Sequence, residues 1–373
     1  MITVNIKNER VKRLFFKWLK EAHGRCDSTV NSIEKAIWIY EDFTGLADFA
    51  TFNSDKAREF KKWLQIRKVK SKTLSTTTYC TYLRYLRTFF VWLSGQPGYK
   101  SKITIDTVDY LKPLEKEERI ATQYIPRSFP ALEYVIKLAG SINARTEIDQ
   151  RDRAMISFTL LSGMRDNAIV SLPLGCFDEN NLTVDQNPKL GVQTKFSKYM
   201  STTLFVFNKK LFDYVIEWVK LLKSKGYGSQ DPLFPRAKAD KGKDDLSFET
   251  ASEVEPEFWQ GTGRIREIFK KRSQEAELPY YPPHTFRHLA VHLAFKSCKN
   301  GEEMKAISQN FGHEHFATTL SSYANYAPPR LSEIIKNMDF SGMPRKTLEE
   351  QFEELRKEMR NEKMTRANRL DKH

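Results

Sequence analysis

The sequence predicts a mostly α fold with a small β-sheet or hairpin, arranged as an N-terminal helical bundle followed by an α+β domain. Three observations carry this expectation. Apolar residues recur at helical spacing through the first third of the chain. A charged stretch without apolar periodicity, 111–128, then interrupts the pattern. Beyond it, helical stripes resume around short β-like runs. The expected divisions are a helical domain over 1–110, a linker over 111–128, a second domain over 129–340 and a charged C-terminal helix over 341–373.

In the first domain, Val11, Leu14, Phe15, Trp18 and Leu19 mark one helix. Asp27 or Ser28 can cap a second, whose stripe is Val30, Ile33, Ile37 and Tyr40 and which ends near Thr44 and Gly45. Asn53 or Ser54 opens a third through Phe60, Trp63 and Leu64. A fourth runs from Ser75 through Tyr79, Leu83, Leu86, Phe90 and Leu93 to Gly95. Such helices make a small bundle. Between the third and fourth lie Arg67, Lys68, Lys70 and Lys72. Cations leading into a helix N-terminus suit a phosphate, and an ordinary solvated loop is the competing reading.

After the linker, helices resume near Pro130, and one ends at Ser162 and Gly163. The runs 182–184, 192–195 and 202–207 read as β pieces, the last two as a hairpin carrying Lys195. Leu211 to Leu222 is helical, and Asp240 to Glu255 reads as an exposed loop. In the tail, Leu348, Phe352, Leu355 and Met359 form a narrow stripe. It suits docking into a neighbouring molecule or back onto the same one.

The chain has 61 Lys and Arg against 47 Asp and Glu, a net charge of +14. This favours a polyanionic partner, with solubility alone as the other reading. No apolar run approaches the ~20 residues of a membrane-spanning helix, and no signal peptide opens the chain. A cytoplasmic workplace is expected. Cys26, Cys80, Cys176 and Cys298 show no metal or disulfide spacing.

The most informative residues are His284, Arg287 and His288, followed by Gly312, His313 and Tyr323, with Gly163, Met164 and Arg165 upstream. Two arginines, two histidines, a lysine and a tyrosine are a set able to cleave a phosphodiester without metal. Arg165 and Arg287 can bind non-bridging oxygens with paired donors that stay charged. Lys195 can protonate a leaving oxygen. His284 and His313 can hydrogen-bond the phosphate or help remove a tyrosine proton. Tyr323 can form a covalent phosphoester. His284, His288 and His292 repeat every fourth residue, so a metal site is the competing reading, but no nearby carboxylate or cysteine completes a familiar set. Neither metal nor cofactor is expected.

These segments resemble the tyrosine recombinases of the phage-integrase family. They are 162–165, 283–288 and 311–319 leading into Tyr323, with Thr194 and Lys195 matching the family's lysine. The resemblance implies a helical core-binding (SAM-like) bundle and an α+β catalytic domain. It implies that Arg165 and Arg287 grip the scissile phosphate, Lys195 is the general acid and His284 accepts the tyrosine proton. His313 would hydrogen-bond the phosphate, and Tyr323 would attack to leave a 3′-phosphotyrosyl link, with exchange through a Holliday junction. The implied partners are double-stranded DNA with a specific core site, a homotetramer formed on it with an exchanged C-terminal segment, and a directionality factor. The implied setting is nucleoid-associated, and the role that of a mobile-element integrase or transposase. Where the family often has an acidic residue three positions after its first arginine, this chain has Ala168; Asp166 is the nearby substitute. Tyr326 and Lys198 rival Tyr323 and Lys195. A topoisomerase IB-like or hairpin-resolving enzyme and a catalytically silent DNA-binding regulator are the alternatives. The early start of the first bundle predicts no separate arm-binding domain.

Overall fold

The computed structural model describes residues 4–69, 71–123, 128–238 and 252–312. The chain divides into two compact units, 1–125 and 126–373.

In the first unit, Asn5 caps α1 (Ile6–Glu21) by accepting from the Lys7 and Asn8 amides. Helix α2 (Asp27–Thr44) starts at Cys26, whose side chain makes no capping bond, rather than at Asp27 or Ser28. It stops at Gly45, which adopts the left-handed conformation that frees the last carbonyls to bond back. Asn53 caps α3 (Ser54–Ile66), and Ser75 caps α4 (Thr76–Leu93). Between them, β1 (Lys68–Val69) and β2 (Lys72–Thr73) pair as a short antiparallel hairpin. Helix α5 (Ile105–Asp109) follows.

The stretch expected to be a linker is helical over α6 (Glu115–Thr122), which packs against α4. The Leu114 amide donates to Glu117, and Thr77 donates to the Ala121 carbonyl. A helix of two turns is too short to show periodicity, which is why it reads as unstructured.

Aromatic rings fill this unit's core. Phe52 stacks on Phe90 with centroids 3.9 Å apart, and Tyr40 meets Phe60 and Phe90 edge-on. Each ring stabilises by roughly 1.5–3 kcal/mol through burial, and each good pair adds about 0.5–1.5 kcal/mol. Leu14, by contrast, is exposed. One charged pair is also buried: Lys12 Nζ lies 2.7 Å from Glu41 Oε2. Asn8 bonds the other Glu41 oxygen and the Ala47 carbonyl, tying α1 to α2 and the loop beyond.

In the second unit, α7 (Leu132–Ser141) leads to α8 (Glu147–Ser162). A reciprocal cap between Thr146 and Asp149 opens α8. Its last two turns, from Ala154 to Ser162, are buried on every side, with α7, α10 and α12 packed around it. Helix α9 (Asp166–Val170) follows. Strands β3 (Phe177–Asp178), β4 (Thr183–Gln186) and β5 (Met200–Thr203) form an antiparallel sheet in that order.

The hairpin therefore pairs β4 with β5, Thr183 opposite Thr203 and Gln186 opposite Met200. Residues 192–195 are not a strand. Lys195 sits in a 3-10 turn, Lys195–Ser197, within the long β4–β5 connection. The second strand also ends at Thr203 rather than reaching Phe207.

Helix α10 (Lys209–Ser224) comes next. Strands β6 (Arg236–Ala237) and β7 (Val254–Glu255) then pair. The expected exposed loop thus ends in a paired strand, with Val254 buried; 239–251 lie outside the described residues. Helices α11 (Gly263–Glu275), α12 (Pro283–Ser297) and α13 (Gly301–Asn310) complete the unit. Buried charges fasten α11 to α8: Arg272 contacts Asp149 and Asp152 at 2.8 Å each. Asp152 also bonds Arg151. Among the described residues no helix is long and apolar enough to cross a membrane.

Candidate active site

Helix α8 ends at Gly163, with φ +56°. A Cβ there would lie 2.3 Å from Phe311 Cε1, so both the backbone and the space require glycine. Two residues on, Arg165 is the N-cap of α9; its carbonyl accepts from the Ala168 and Ile169 amides, and its side chain is half-buried. Asp166, the expected substitute for the family's acidic residue, lies 3.6 Å from Arg266 of α11, while Ala168 is buried in the core.

Arg287 lies on α12, one turn after His284, and is 8% exposed. Its Nη1 donates to the Gly163 carbonyl at 2.6 Å, and its Nη2 to the Phe311 carbonyl at 2.5 Å. The guanidinium also lies over the Phe311 ring, 5.3 Å from its centroid. One arginine thus joins the end of α8, α12 and the end of α13. Carbonyl dipoles at two corners fix the orientation of the planar fork.

His284 is exposed in the first turn of α12, its ring 6.0 Å from that of His288. His292 instead approaches Phe129. Among the described residues no group of three or more His, Cys, Asp or Glu side chains is placed to hold a metal ion.

Lys195 is exposed, its Nζ 4.8 Å from the centroid of the Phe196 ring. The surrounding connection is pinned at intervals. The Gln193 amide donates to Ser171 at 2.8 Å, and Thr194 donates to the Lys198 carbonyl at 2.7 Å. Tyr199 bonds Asp185, and this contact raises the phenol's pKa above its ordinary value. The connection then enters β5, where sequence reasoning missed a clasp. The Thr203 amide donates to Asn310 Oδ1 at 2.7 Å, and Asn310 Nδ2 returns a bond to the Thr203 carbonyl at 2.9 Å. Met200 packs where a Cβ on Gly312 would sit, with Sδ 2.8 Å away. No sequence signal marks Asn310, because its partners lie more than a hundred positions away. His313, Tyr323, the rival Tyr326 and the tail stripe lie outside the described residues.

In the first unit, the expected phosphate seat is less uniform than its composition. Arg67 pairs with Asp42 at 2.8 Å and stacks over Trp63. In the hairpin, Lys68 lies opposite Thr73 and Val69 opposite Lys72, so Lys68 and Lys72 face opposite sides. Both are exposed; Lys70 lies outside the described residues.

Comparison with known proteins identifies an enzyme of DNA strand breakage and rejoining. The chain belongs to the phage integrase family, whose model matches residues 137–330, more than half of the sequence. It is a tyrosine recombinase, an enzyme that breaks and rejoins DNA strands. Tyrosine recombinase XerD of Listeria monocytogenes serotype 4b (strain F2365) is 23% identical over 336 residues, covering 88% of this chain and 89% of its own. Among solved structures, a lambda integrase dimer bound to a COC′ core site is similar at TM-score 0.56. It has 13% identity, with 84% of this chain and 94% of that one covered. The Tn1549 transposon integrase in complex with transposon right-end DNA is similar at TM-score 0.55. Its identity is 16%, with 88% and 99% covered. The XerH recombinase bound to palindromic difH substrate is also similar at 0.55, with 16% identity and 87% and 84% covered.

Proposed function

We propose that this chain is the integrase of a mobile element, acting on a specific core site in double-stranded DNA through Arg165, Lys195, His284, Arg287, His313 and Tyr323. Arg165 and Arg287 hold the non-bridging oxygens of the scissile phosphate, where negative charge grows in the transition state. Tyr323 Oη attacks phosphorus as its proton passes to His284. The bond to the 5′-oxygen breaks, and Lys195 supplies the proton that oxygen takes up. The products are a 3′-phosphotyrosyl link and a free 5′-hydroxyl, so the energy of the broken bond is kept for rejoining. His313 hydrogen-bonds the phosphate. A 5′-hydroxyl from a partner duplex then reverses the step, by way of a Holliday junction.

The helical first domain contacts the DNA backbone through Lys68, Lys70 and Lys72, with Arg67 as a part-time contributor because Asp42 already engages it. The chain works as a tetramer on DNA, with the 341–373 helix exchanged between protomers and a directionality factor choosing between integration and excision. Its workplace is the nucleoid.

What supports this reading most is the pair of bonds from Arg287 to the carbonyls of Gly163 and Phe311. They fasten the three motif segments to one another before any DNA arrives. The test is covalent trapping on nicked duplexes tiled across the DNA flanking the chain's own gene. Wild type, Tyr323→Phe and Tyr326→Phe are compared after denaturation. An adduct lost only in Tyr323→Phe is expected. Loss only in Tyr326→Phe would move the nucleophile, and no adduct on any duplex despite salt-sensitive binding would refute cleavage at a core site in this flanking DNA and favour a catalytically silent binder.

A further inference from the structure

Phe196 is the most exposed large apolar side chain among the described residues, at 79%. Its backbone is left-handed, with φ +61°, and so is that of the next residue, Ser197, with φ +50°. Neither is glycine, and two successive residues in this region oppose the ordinary steric preference of an L-amino acid. The loop therefore adopts an unfavourable backbone in order to hold an aromatic ring in water, a second unfavourable arrangement. The turn itself is closed by the Ser197 amide donating to the Thr194 carbonyl at 3.2 Å and by Thr194 donating to the Lys198 carbonyl, but neither bond accounts for the exposed ring. Thr194, Gln193 and Tyr199 anchor the connection at points on either side, and none of those bonds needs an aromatic at 196.

The surroundings say what would cover the ring. Lys195 and Lys198 flank it in sequence, and Lys195 Nζ sits 4.8 Å from its centroid. A flat apolar surface bracketed by cations matches a base step bracketed by phosphates. Aromatic and other apolar side chains enter such steps as wedges, with basic neighbours on the backbone. A protein partner would more often meet an apolar patch, and no other exposed aromatic but Tyr199 lies in this connection.

We propose that Phe196 wedges between base pairs next to the scissile phosphate and thereby positions Lys195 over the leaving 5′-oxygen. The inference rests on the reading of Lys195 as the general acid. Phe196 touches bases and acts on the reaction only through Lys195: as the ring enters the stack, the lysine beside it is brought to the backbone. The same contact that steadies Lys195 in the free protein is exchanged for stacking on a base.

The test uses the full chain and the duplex on which wild type forms its adduct, with 2-aminopurine at each base flanking the cleavage position. Wild type should brighten one of these probes by unstacking it. Phe196→Ala should lose that signal and form the adduct about tenfold more slowly, the scale of one lost base–aromatic stack. Phe196→Leu, still able to wedge, should keep most of both. A duplex with sulfur in place of the bridging 5′-oxygen separates the roles, because a thiolate leaves without needing a proton. On it the deficits of Phe196→Ala and Lys195→Ala should both disappear. If Lys195→Ala stays slow on the sulfur substrate, the general-acid reading fails whatever Phe196 does. If Lys195→Ala recovers while Phe196→Ala does not, or if the probe brightens equally without the ring, the proposal about Phe196 is overturned.

Discussion

Substituting alanine at Gly163 tests how the arginine site is held. The new Cβ would stand 2.3 Å from Phe311 Cε1 and 3.1 Å from its Cδ1, with Ala290 Cβ at 3.4 Å on another side. Phe311 has little room to withdraw: it is fully buried and stacks on Phe205 with centroids 5.2 Å apart. The left-handed backbone costs an alanine roughly 1–2 kcal/mol. Overpacking a closed core adds about 1–3 kcal/mol. The sum is about 2–5 kcal/mol, which for a unit of this size lowers Tm by roughly 5–15 °C. Gly312 provides the comparison. It too is left-handed, at φ +67°, but the atoms a Cβ would strike are Sδ and Cε of Met200, the movable end of a flexible side chain. Gly312→Ala should therefore cost only about 1–2 kcal/mol. Urea unfolding of both variants, followed by near-ultraviolet signals from the catalytic unit, measures the difference. Adduct formation should fall further in Gly163→Ala than stability alone explains, because the carbonyl holding Arg287 moves with the turn. A Gly163→Ala protein within about 0.5 kcal/mol of wild type, or one hurt less than Gly312→Ala, would refute the packing argument.

Other substitutions probe separate parts of the molecule. Arg287→Lys keeps the charge but cannot reach both carbonyls with a fork. Adduct formation should drop by about a hundredfold or more while duplex binding in a shift assay changes little. Lys12→Met leaves Glu41 buried and without its cation, which should cost roughly 3–5 kcal/mol by denaturant unfolding; Lys12→Met with Glu41→Leu should recover most of that. Burial lowers the Lys12 pKa, but hydrogen bonds to Glu41 and Glu9 outweigh it and leave the ammonium above its ordinary 10.5. A raised lysine contributes fully below the unfolded value and loses its contribution as pH rises through the folded one. Wild type should therefore lose stability above pH 10.5 more steeply than the double variant in an alkaline titration. Hydrogen bonds from Ser28 and Thr29 lower the exposed Cys26 thiol to about 7, whereas burial pushes Cys176 up to about 11. Iodoacetamide at neutral pH should label Cys26 first, with a half-maximal rate near pH 7, and Cys26→Ser should remove that fast phase.

What could be read in the sequence was local. Asn53, Ser75, Gly45 and Gly163 announce helix ends because capping needs a particular side chain or a particular φ at one position. Motif order made the family legible for a similar reason, since each motif is a short run of neighbouring residues. The β4–β5 connection was misread because Val192 to Lys195 alternates as a strand does, while the hydrogen bonds that decide pairing belong to residues on either side of it. Helix α8 shows no amphipathic face because neighbours surround its last two turns, so periodicity could not have identified it as the centre of its domain. The support beneath the site was invisible as well. Arg287 reads as a phosphate ligand from its motif alone, but that two carbonyls orient it depends on the packing of α8, α12 and α13.

The clasp between Asn310 and Thr203 makes one hinge point out of two pieces of machinery. On one side of Thr203 the chain runs back through Met200 to the lysine connection; on the other side of Asn310 it runs through Gly312 into the histidine and tyrosine motif. A load applied to either path meets the same pair of bonds. If Lys195 and Tyr323 act as proposed, the two share one foothold: the strand that leaves the lysine connection and the helix that precedes the tyrosine motif in sequence are fastened by the same pair of bonds, so Asn310→Ala should slow adduct formation although it touches neither residue.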